Sequence, residues 1–351
     1  MKKLLLLSFF GIAVAVNAQQ LRFEDFNALP IGNVGTDITG TAPTNDIFTQ
    51  ASNGAVPTTS NNAGNDNFQI VAGDGFHVQT LQITGVNGDK GSRQIWMGDL
   101  TTDWEFRDGG NDIFEVEFDL YTGTAGTSRN QMGLYIFDST RNKYLGGYVF
   151  ATNTLVLSGL AYYQNLTSTP PAPLGNYLFY LGTGNTNITL AANTWVRLGV
   201  SFNKTTGAVK WKGPGINGQV VGAAMGVDPD RASFVSTSGS VPAAPPAPAI
   251  PNTAAATVLF DNLRITARAT DGLLAVADVD TAEVFAVYPN PATTVVNVQN
   301  KNNADITAIA IVDLNGRVVK QVSFDKLSSV QVNIADLSAG VYMMNISSSE
   351  G

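Results

Sequence analysis

The segment DIFEVEFDLY, residues 112–121, determines the fold expected for most of this chain. Apolar side chains occupy every second position, and acidic or phenolic side chains occupy the positions between them. A period of two residues is that of a β-strand whose two faces meet different surroundings. We therefore expect one face of this strand to lie in an apolar core and the other to carry Glu115, Glu117, Asp119 and Tyr121.

The neighbouring sequence repeats this pattern. Residues 194–202 alternate in the same way, turn at 203–207 and return through 209–212, which predicts a hairpin. Shorter runs of the same kind precede and follow it. We expect the runs 21–26 and 257–265 to be the first and last strands, and to pair so that they close a sheet.

The strand pattern extends from residue 19 to residue 268. The passage 32–75 is rich in Asn, Thr, Gly and Ser, which predicts an irregular surface segment. A dozen or so short strands in this region are typical of an all-β fold, in which two antiparallel sheets pack as a jelly-roll sandwich. Residues 269–284 are small and acidic, and we interpret them as a linker.

The amino terminus has the features of an export signal. Lys2 and Lys3 precede an apolar run, residues 4–16, and Val16-Asn17-Ala18 is a small-residue cleavage site. This arrangement predicts a signal peptide over residues 1–18, removed after Ala18. The apolar run is too short for a membrane anchor, and we expect no transmembrane segment in the mature chain.

Charge and cysteine content exclude some functions. The net charge of the chain is −8, and removal of Lys2 and Lys3 makes it more negative. Nucleic-acid binding requires a basic surface, so we expect no nucleic-acid partner. The chain has no cysteine, which excludes thiol chemistry and disulfides. Its stability must therefore come from the apolar core, with a contribution from any bound ion.

A second, smaller unit is expected at residues 285–351. Tyr288-Pro289-Asn290-Pro291 is a stiff entry, because proline restricts its own φ and the residue before it. Several short alternating strands follow, with a turn at Asp313-Leu314-Asn315-Gly316 and no helical period. This pattern predicts a small β-sandwich.

Three motifs of this tail resemble the C-terminal sorting domain of the type IX (Por) secretion system of Bacteroidetes. They are Tyr288-Pro289-Asn290-Pro291, then Asp313 with Gly316-Arg317, then Leu337-Ser338-Ala339-Gly340-Val341-Tyr342. The resemblance implies contact with the type IX translocon, passage through the outer membrane, and release or attachment at the cell surface. Family members continue past Glu350-Gly351 into a last strand, so we expect this sequence to lack that strand. The alternative is an ordinary immunoglobulin-like domain.

The larger unit resembles concanavalin A-like (laminin G-like) jelly rolls. The resemblance rests on Thr194-Trp195-Val196-Arg197-Leu198 to Gly207, on the strand ending Phe118-Asp119, and on Leu259-Phe260-Asp261-Asn262. It covers about half of that unit. The family implies a two-sheet sandwich and lectin-like carbohydrate binding or adhesion, the latter by analogy of fold alone.

The three acids of segment 112–121 are a candidate catalytic group. Laminarinase-type glycoside hydrolases of this fold carry acids at alternating positions of one strand, and hydrolysis of a glycosidic bond requires two carboxylates. Here Glu115, Glu117 and Asp119 form E-x-E-x-D, which departs from the E-x-D-x-E of that family. The alternative interpretation is three acids on a solvated sheet face.

Aromatic residues are candidates for contact with a sugar ring. Trp96 and Trp104 flank a predicted loop, and Tyr121 shares a face with the acids, so we predict ligand binding by one or two of these three. Trp195 and Trp211 begin or end alternating strands, and we expect both in the core.

A structural Ca²⁺ ion is a further candidate. Glu24 on the first strand and Asp261 on the last become neighbours if these strands pair, and carbohydrate-binding jelly rolls hold calcium with such a pair of acids. Carboxylate oxygens are the ligands that calcium prefers. His77 is the only histidine, which leaves no multi-histidine metal centre, and we expect it at the surface.

We therefore expect a secreted or cell-surface carbohydrate-binding or adhesion-type protein, exported by the type IX system. One alternative is a polysaccharide-degrading enzyme, a glycoside hydrolase or lyase, on the same jelly-roll fold. Another is a structural adhesin without a small ligand. An open cleft over Glu115, Glu117 and Asp119 would favour the enzyme, and a flat face would favour the other two.

Overall fold

The computed structural model describes residues 18–53, 64–74, 77–98, 100–244, 247–273, 285–289, 291–300, 305–312, 318–338, 340 and 342–348. The chain divides into two compact units, residues 1–274 and 275–351. The predicted signal peptide up to residue 17 and residues 274–284 of the predicted linker lie outside the described residues.

The described residues of the first unit form strands and one short helix. In chain order these are β1 (Gln19–Glu24), β2 (Gly32–Asn33), β3 (Ile47–Ser52), β4 (Phe68–Ala72), β5 (Gln79–Thr84), β6 (Ser92–Met97), α1 (Leu100–Glu105), β7 (Ile113–Tyr121), β8 (Gln131–Asp138), β9 (Tyr144–Ala151), β10 (Val156–Tyr163), β11 (Gly175–Tyr180), β12 (Ile188–Thr189), β13 (Trp195–Asn203), β14 (Ala208–Gly213), β15 (Ile216–Val221), β16 (Pro229–Thr237) and β17 (Thr257–Arg268).

These strands form two antiparallel sheets. A nine-stranded sheet has the order β15-β14-β13-β7-β17-β5-β4-β2, with β1 also paired to β17. An eight-stranded sheet has the order β11-β10-β9-β8-β16-β6-β3, with β12 also paired to β10. The all-β prediction is confirmed, as is the antiparallel two-sheet sandwich.

The core lies between the two sheets. Phe114, Val116, Phe118 and Leu120 of β7 are all fully buried, as the alternation predicted. The ring of Phe118 lies 5.6 Å from that of Phe234 on β16, which belongs to the other sheet. Side chains from the two sheets therefore meet in one apolar layer.

Hydrogen bonds also cross between the sheets. The Tyr148 hydroxyl on β9 donates to the carbonyl oxygens of Gly199 at 2.9 Å and Lys212 at 2.8 Å. In the opposite direction, the indole N–H of Trp211 on β14 donates to the carbonyl oxygen of Gly147 at 2.7 Å. These bonds satisfy the polar tips of two buried rings, which would otherwise be costly to bury.

The expected closure between the ends of this unit is confirmed. β1 pairs antiparallel with β17, and Phe23 lies opposite Arg264. The passage 32–75 differs from its prediction, because β2, β3 and β4 all lie within it. β2 and β3 are short and sit at the outer ends of their sheets, where one neighbour suffices for pairing, so their sequence signal is weak.

The described residues of the second unit form two three-stranded antiparallel sheets. Val298, Ile309 and Val332 belong to their shared apolar core. The predicted turn at 313–316 lies outside the described residues, although the strands on either side of it pair. The strands are β18 (Phe285–Tyr288), β19 (Val295–Asn300), β20 (Ile306–Val312), β21 (Val318–Leu327), β22 (Ser329–Asn333) and β23 (Met343–Ser348).

Candidate functional site

The polar side of the nine-stranded sheet brings the predicted acids together. Glu115, Glu117, Asp119 and Tyr121 alternate with the buried residues of β7 and point away from the core. On one side β13 places Arg197 opposite Asp119 and Trp195 opposite Tyr121. On the other side β17 places Asp261 opposite Asp119, Arg264 opposite Glu117 and Thr266 opposite Glu115. We call this surface the outer face, and it consists of these residues of β7, β13 and β17.

All three acids of β7 are ion-paired. Glu115 Oε2 lies 3.0 Å from Nε of Arg268. Arg197 bridges the other two, with Nη2 at 3.1 Å from Glu117 Oε2 and Nη1 at 3.3 Å from Asp119 Oδ1. Their negative charges are therefore largely compensated within the sheet.

Glu115 is closed off from solvent. Its side chain is only 2% exposed, and the backbone N–H of Gly272 donates to its Oε1 at 2.7 Å. Burial, the largest contribution, raises the pKa of Glu115 to about 7, while the Gly272 N–H and Arg268 oppose that shift. Asp271 lies beside this pair and is held by Lys210 Nζ at 2.8 Å. Residues just beyond β17 therefore cover the first of the three acids.

Asp119 is the centre of a second group of contacts. Its Oδ2 accepts a bond from the Asn262 amide at 2.7 Å and lies 3.3 Å from Nε2 of His77. Asn262 follows Asp261 at a bulge in β17, where it has a φ of 49°. Its carbonyl oxygen also accepts a bond from Arg197 at 2.7 Å. The bulge therefore turns both polar groups of Asn262 towards the acids.

An aromatic group lies beside these contacts. The His77 ring stacks on Trp195 at 3.8 Å, and the Tyr121 ring lies 5.4 Å from that of Trp195. The indole N–H of Trp195 donates to Oδ2 of Asp74 at 3.0 Å. Trp195 and Tyr121 are both partly exposed. We call Tyr121, Trp195 and His77 the aromatic platform.

Two of these positions differ from their prediction. Trp195 was expected in the core, but it alternates with buried Val196 and Leu198 and shares the outer face with Arg197. The polar residue two positions later was the available signal. His77 was expected at the surface, and its side chain is only 13% exposed. No local pattern indicated its contact with Asp119, because His77 lies just before β5 and Asp119 lies in β7, 42 positions further along the chain.

Trp96 and Trp104 offer no free ring to a ligand. Trp96 is 8% exposed, with Phe48 stacked at 5.3 Å and Arg231 over its ring at 4.5 Å. Trp104 lies in α1 rather than beside a loop and is 2% exposed, with Arg107 over its ring at 3.9 Å. Packing against apolar and cationic neighbours accounts for both residues. Of the three aromatic candidates, only Tyr121 lies beside the acids.

The two calcium candidates already accept backbone hydrogen bonds. The N–H of Phe26 donates to Glu24 Oε1 at 2.6 Å, and the N–H of Asn262 donates to Asp261 Oδ1 at 2.7 Å. Within the described ranges, no group of three or more His, Cys, Asp or Glu side chains is arranged to hold a metal ion. The donor set is therefore smaller than the six to eight oxygens that calcium takes. Calcium binding at Glu24 and Asp261 stays a prediction.

That prediction has a direct thermal test. If Ca²⁺ bridges Glu24 and Asp261, EDTA should lower the melting temperature of the first unit, and added Ca²⁺ should restore it. Glu24→Gln should abolish this response. An unchanged melting temperature in EDTA would exclude the ion, and Mg²⁺ serves as the control cation.

The main cavities do not include the acids. One of about 420 Å³ lies between β11 and β15, beside Tyr180 and Gln219. Another, of about 560 Å³, lies in the second unit beside Pro289 and Tyr342. Neither is lined by Glu115, Glu117 or Asp119. In the part of the chain that the structure describes, no helix is long and apolar enough to span a membrane.

Comparison with known proteins gave distant structural similarities. LamAcat from Zobellia galactanivorans matches at 12% identity, with a TM-score of 0.42, covering 70% of this chain and 97% of that one. The botulinum neurotoxin serotype C1 binding domain matches at 11% identity, with a TM-score of 0.39, covering 85% of this chain and 58% of that one. A structure of botulinum neurotoxin type C matches at 9% identity and a TM-score of 0.37, covering 70% of this chain and 51% of that one. The chain thus spans about half the length of that last structure. At TM-scores below 0.5, none of these similarities indicates a ligand or an activity.

The sequence comparisons concern the second unit. No curated protein matched the chain. Residues 286–351 match a family model, which agrees with the resemblance seen in Tyr288-Pro289 and Leu337-Ser338. This last part of the chain is therefore a secretion system C-terminal sorting domain.

Proposed function

We propose that this protein is exported through its C-terminal sorting domain to the cell surface or the medium, and that its first unit binds a glycan there. The matched family model at residues 286–351 supports export, and through it contact with the type IX translocon. The predicted signal peptide supplies the first step, passage into the periplasm. On this proposal the second unit directs transport and the first unit carries the binding function.

The aromatic platform is the observation that carries the binding proposal. Trp195 and Tyr121 are partly exposed and lie next to each other on the outer face. The apolar face of a sugar ring packs well on such rings, while its hydroxyl groups need polar partners nearby. Arg197, Asp119 and Asn262 lie beside the rings and supply donors and acceptors.

The contacts of the three acids favour binding over hydrolysis. A glycoside hydrolase needs one carboxyl group that donates a proton and another that attacks or activates water, both within reach of the sugar. Glu115 has the raised pKa of a proton donor, but it is buried beneath Gly272 and paired with Arg268. Glu117 and Asp119 share Arg197. We therefore favour a glycan-binding protein over a glycoside hydrolase.

One experiment tests both parts of the proposal. The full chain, produced in a host with a type IX system, should be recovered from the cell surface or the medium. Screened against a glycan panel, this material should bind at least one glycan. Trp195→Ala should weaken that binding by about tenfold or more, because burial of an aromatic side chain contributes roughly 1.5–3 kcal/mol. Trp195→Phe, which keeps a ring but loses the bond to Asp74, should retain part of it.

Tyr180→Ala is the matched control, since Tyr180 is 61% exposed and belongs to the other sheet. It should bind as the wild type does. If no glycan binds, or if Trp195→Ala binds as well as the wild type, the outer face is not a glycan site. Release of reducing sugar from β-glucans by the wild type but not by Glu115→Gln would instead show that the protein is a glycoside hydrolase.

A further inference from the structure

Among the described residues, the Nε of one arginine of the outer face lacks a hydrogen-bond partner. Arg264 on β17 lies opposite Glu117 of β7 and opposite Phe23 of β1. Its neighbours in sequence, Leu263 and Ile265, are buried in the core, so the guanidinium points outwards. Its Nε is buried and has no hydrogen-bond partner among the described residues.

Two other arginines at this surface form ion pairs, although the Nε of Arg268 also lacks a hydrogen-bond partner among the described residues. Arg197 pairs with Glu117 and Asp119, and Arg268 pairs with Glu115. Because Arg197 engages Glu117, the carboxylate nearest to Arg264 across the strands is already occupied. A buried N–H donor without a partner is costly, and proteins retain such a group where a ligand or water satisfies it. Arg264 as a whole is partly exposed, so the outer edge of its guanidinium, and not the buried Nε, can reach an acceptor from outside.

The chemistry of that acceptor follows from the guanidinium group. Arginine presents five N–H donors in a planar fork, which matches the two oxygens of a carboxylate or the oxygens of a sulfate ester. A neutral hydroxyl group would use only part of this donor set. An anionic substituent is thus the ligand group that fits Arg264 best.

Its position connects it to the aromatic platform. Tyr121 and Glu117 are four residues apart on β7, which is about 13 Å along an extended strand. Arg264, opposite Glu117, lies at that distance from Tyr121, which lies opposite Trp195. A glycan of a few sugar units laid along β7 would therefore reach from the platform to Arg264.

We propose that the outer face binds an acidic glycan, with one sugar ring on Trp195 and Tyr121 and a carboxylate or sulfate ester on Arg264. This inference rests on the proposed function and adds the class of ligand. The overall negative charge of the protein means that recognition is local, through the fork of Arg264, and not a general attraction for polyanions.

The test compares matched ligands that differ only in charge. Binding of a short oligogalacturonate and of its methyl ester is measured by calorimetry with the full chain. A second pair, a sulfated oligosaccharide and its desulfated form, distinguishes the two possible anions. We expect the wild type to bind one charged form about tenfold or more tightly than its neutral form. A charge-assisted hydrogen bond to Arg264 is strong enough to account for a difference of this size. Added salt should reduce this preference.

Three variants assign the preference to Arg264. Arg264→Gln should bind the charged and neutral forms with equal affinity. Arg264→Lys keeps the charge but loses the fork, and it should retain only part of the preference. Arg141→Gln, which removes an exposed arginine at the turn between β8 and β9, should behave as the wild type. If Arg264→Gln has a lower melting temperature than the wild type, the role of Arg264 in the preference for the charged form is judged from Arg264→Lys instead.

The outcomes separate this inference from the proposed function. Equal binding of charged and neutral forms by the wild type, or an undiminished preference in Arg264→Gln and Arg264→Lys, would overturn the role of Arg264. If binding of the neutral forms still depends on Trp195, the glycan-binding proposal survives that result. If the wild type binds none of the probes and no member of the glycan panel, both proposals fail.

Discussion

Trp211→Ala should lower the free energy of unfolding of the first unit by about 4 kcal/mol or more. The indole is only 1% exposed and packs beside Gly159, where an added Cβ would come within 2.7 Å of the ring. Removal of so large a buried side chain costs roughly 3–5 kcal/mol. The carbonyl oxygen of Gly147 also loses its cross-sheet donor, which adds about 1 kcal/mol or more. Typical domains are stable by roughly 5–15 kcal/mol, so this one change should bring the unit close to unfolding.

Urea denaturation followed by tryptophan fluorescence measures this effect. All four tryptophans of the chain lie in the first unit, so the signal reports that unit alone. Tyr180→Ala, at an exposed ring, should change the free energy of unfolding by no more than about 0.5 kcal/mol. A loss below about 2 kcal/mol in Trp211→Ala would mean that the two sheets are not joined through this ring.

Stability should fall as the pH rises from about 5 to 8, because two carboxyl groups are buried in the first unit. Burial raises the pKa of both Glu115 and Asp261 to about 7. In the unfolded chain both groups ionise at lower pH, near 4.5 and 3.8. Between those values and pH 7 the native state binds more protons than the unfolded chain does. Their stabilising contribution to the free energy of unfolding is therefore complete at low pH and is lost as the pH rises through 7.

The Glu115→Gln variant isolates one of the two groups. Glutamine can accept the bond from the Gly272 N–H through its amide oxygen but cannot ionise. At pH 8 the variant should be more stable than the wild type, by up to about 3 kcal/mol, while near pH 4.5 the difference should be small. Melting curves from pH 4.5 to 8 give this comparison. The loss of the Arg268 ion pair, at 3.0 Å, works against the gain at high pH.

Glu105→Gln is the control, because Glu105 is exposed at the end of α1. The melting temperature of Glu105→Gln should depend on pH in the same way as that of the wild type. A Glu115→Gln curve parallel to the wild-type curve would mean that Glu115 does not titrate near pH 7 in the folded protein. Asp112, Asp138, Asp228 and Asp271 have lowered pKa values, so they should cause the opposite loss of stability in strong acid.

Much of the fold followed from local pattern. The alternation over β7 correctly assigned its buried apolar residues, since side chains of a strand point to opposite faces in turn. It also predicted β13 as a strand, although Trp195 at its start was wrongly expected in the core. It failed for β2, β3 and β4, which are short and lie towards the ends of their sheets. It also missed α1, whose six residues are too few to show a helical period.

The candidate site was only partly predictable for a related reason. Alternation placed Glu115, Glu117, Asp119 and Tyr121 on one face, and the structure confirms that grouping. It gave no means of knowing that His77 stacks on Trp195 or that Arg268 pairs with Glu115. Trp104 illustrates the opposite error, since its position beside a predicted loop suggested contact with a ligand while the ring packs into the core.

Residue order alone thus established most of the longer strands, the buried side of β7, and the sorting domain that was expected at residues 285–351. These features depend on residues only a few positions apart, because both the alternation of a strand and a short sequence motif involve close neighbours in the sequence. Only tertiary folding decided which charges compensate each other and which acid is covered, because those contacts join distant parts of the chain. Gly272 and Glu115 are 157 positions apart, and no local period carries information over that length. The position of Arg264 is likewise a tertiary feature: among the described residues its Nε has no hydrogen-bond partner, while Glu117 opposite it pairs with Arg197 of another strand.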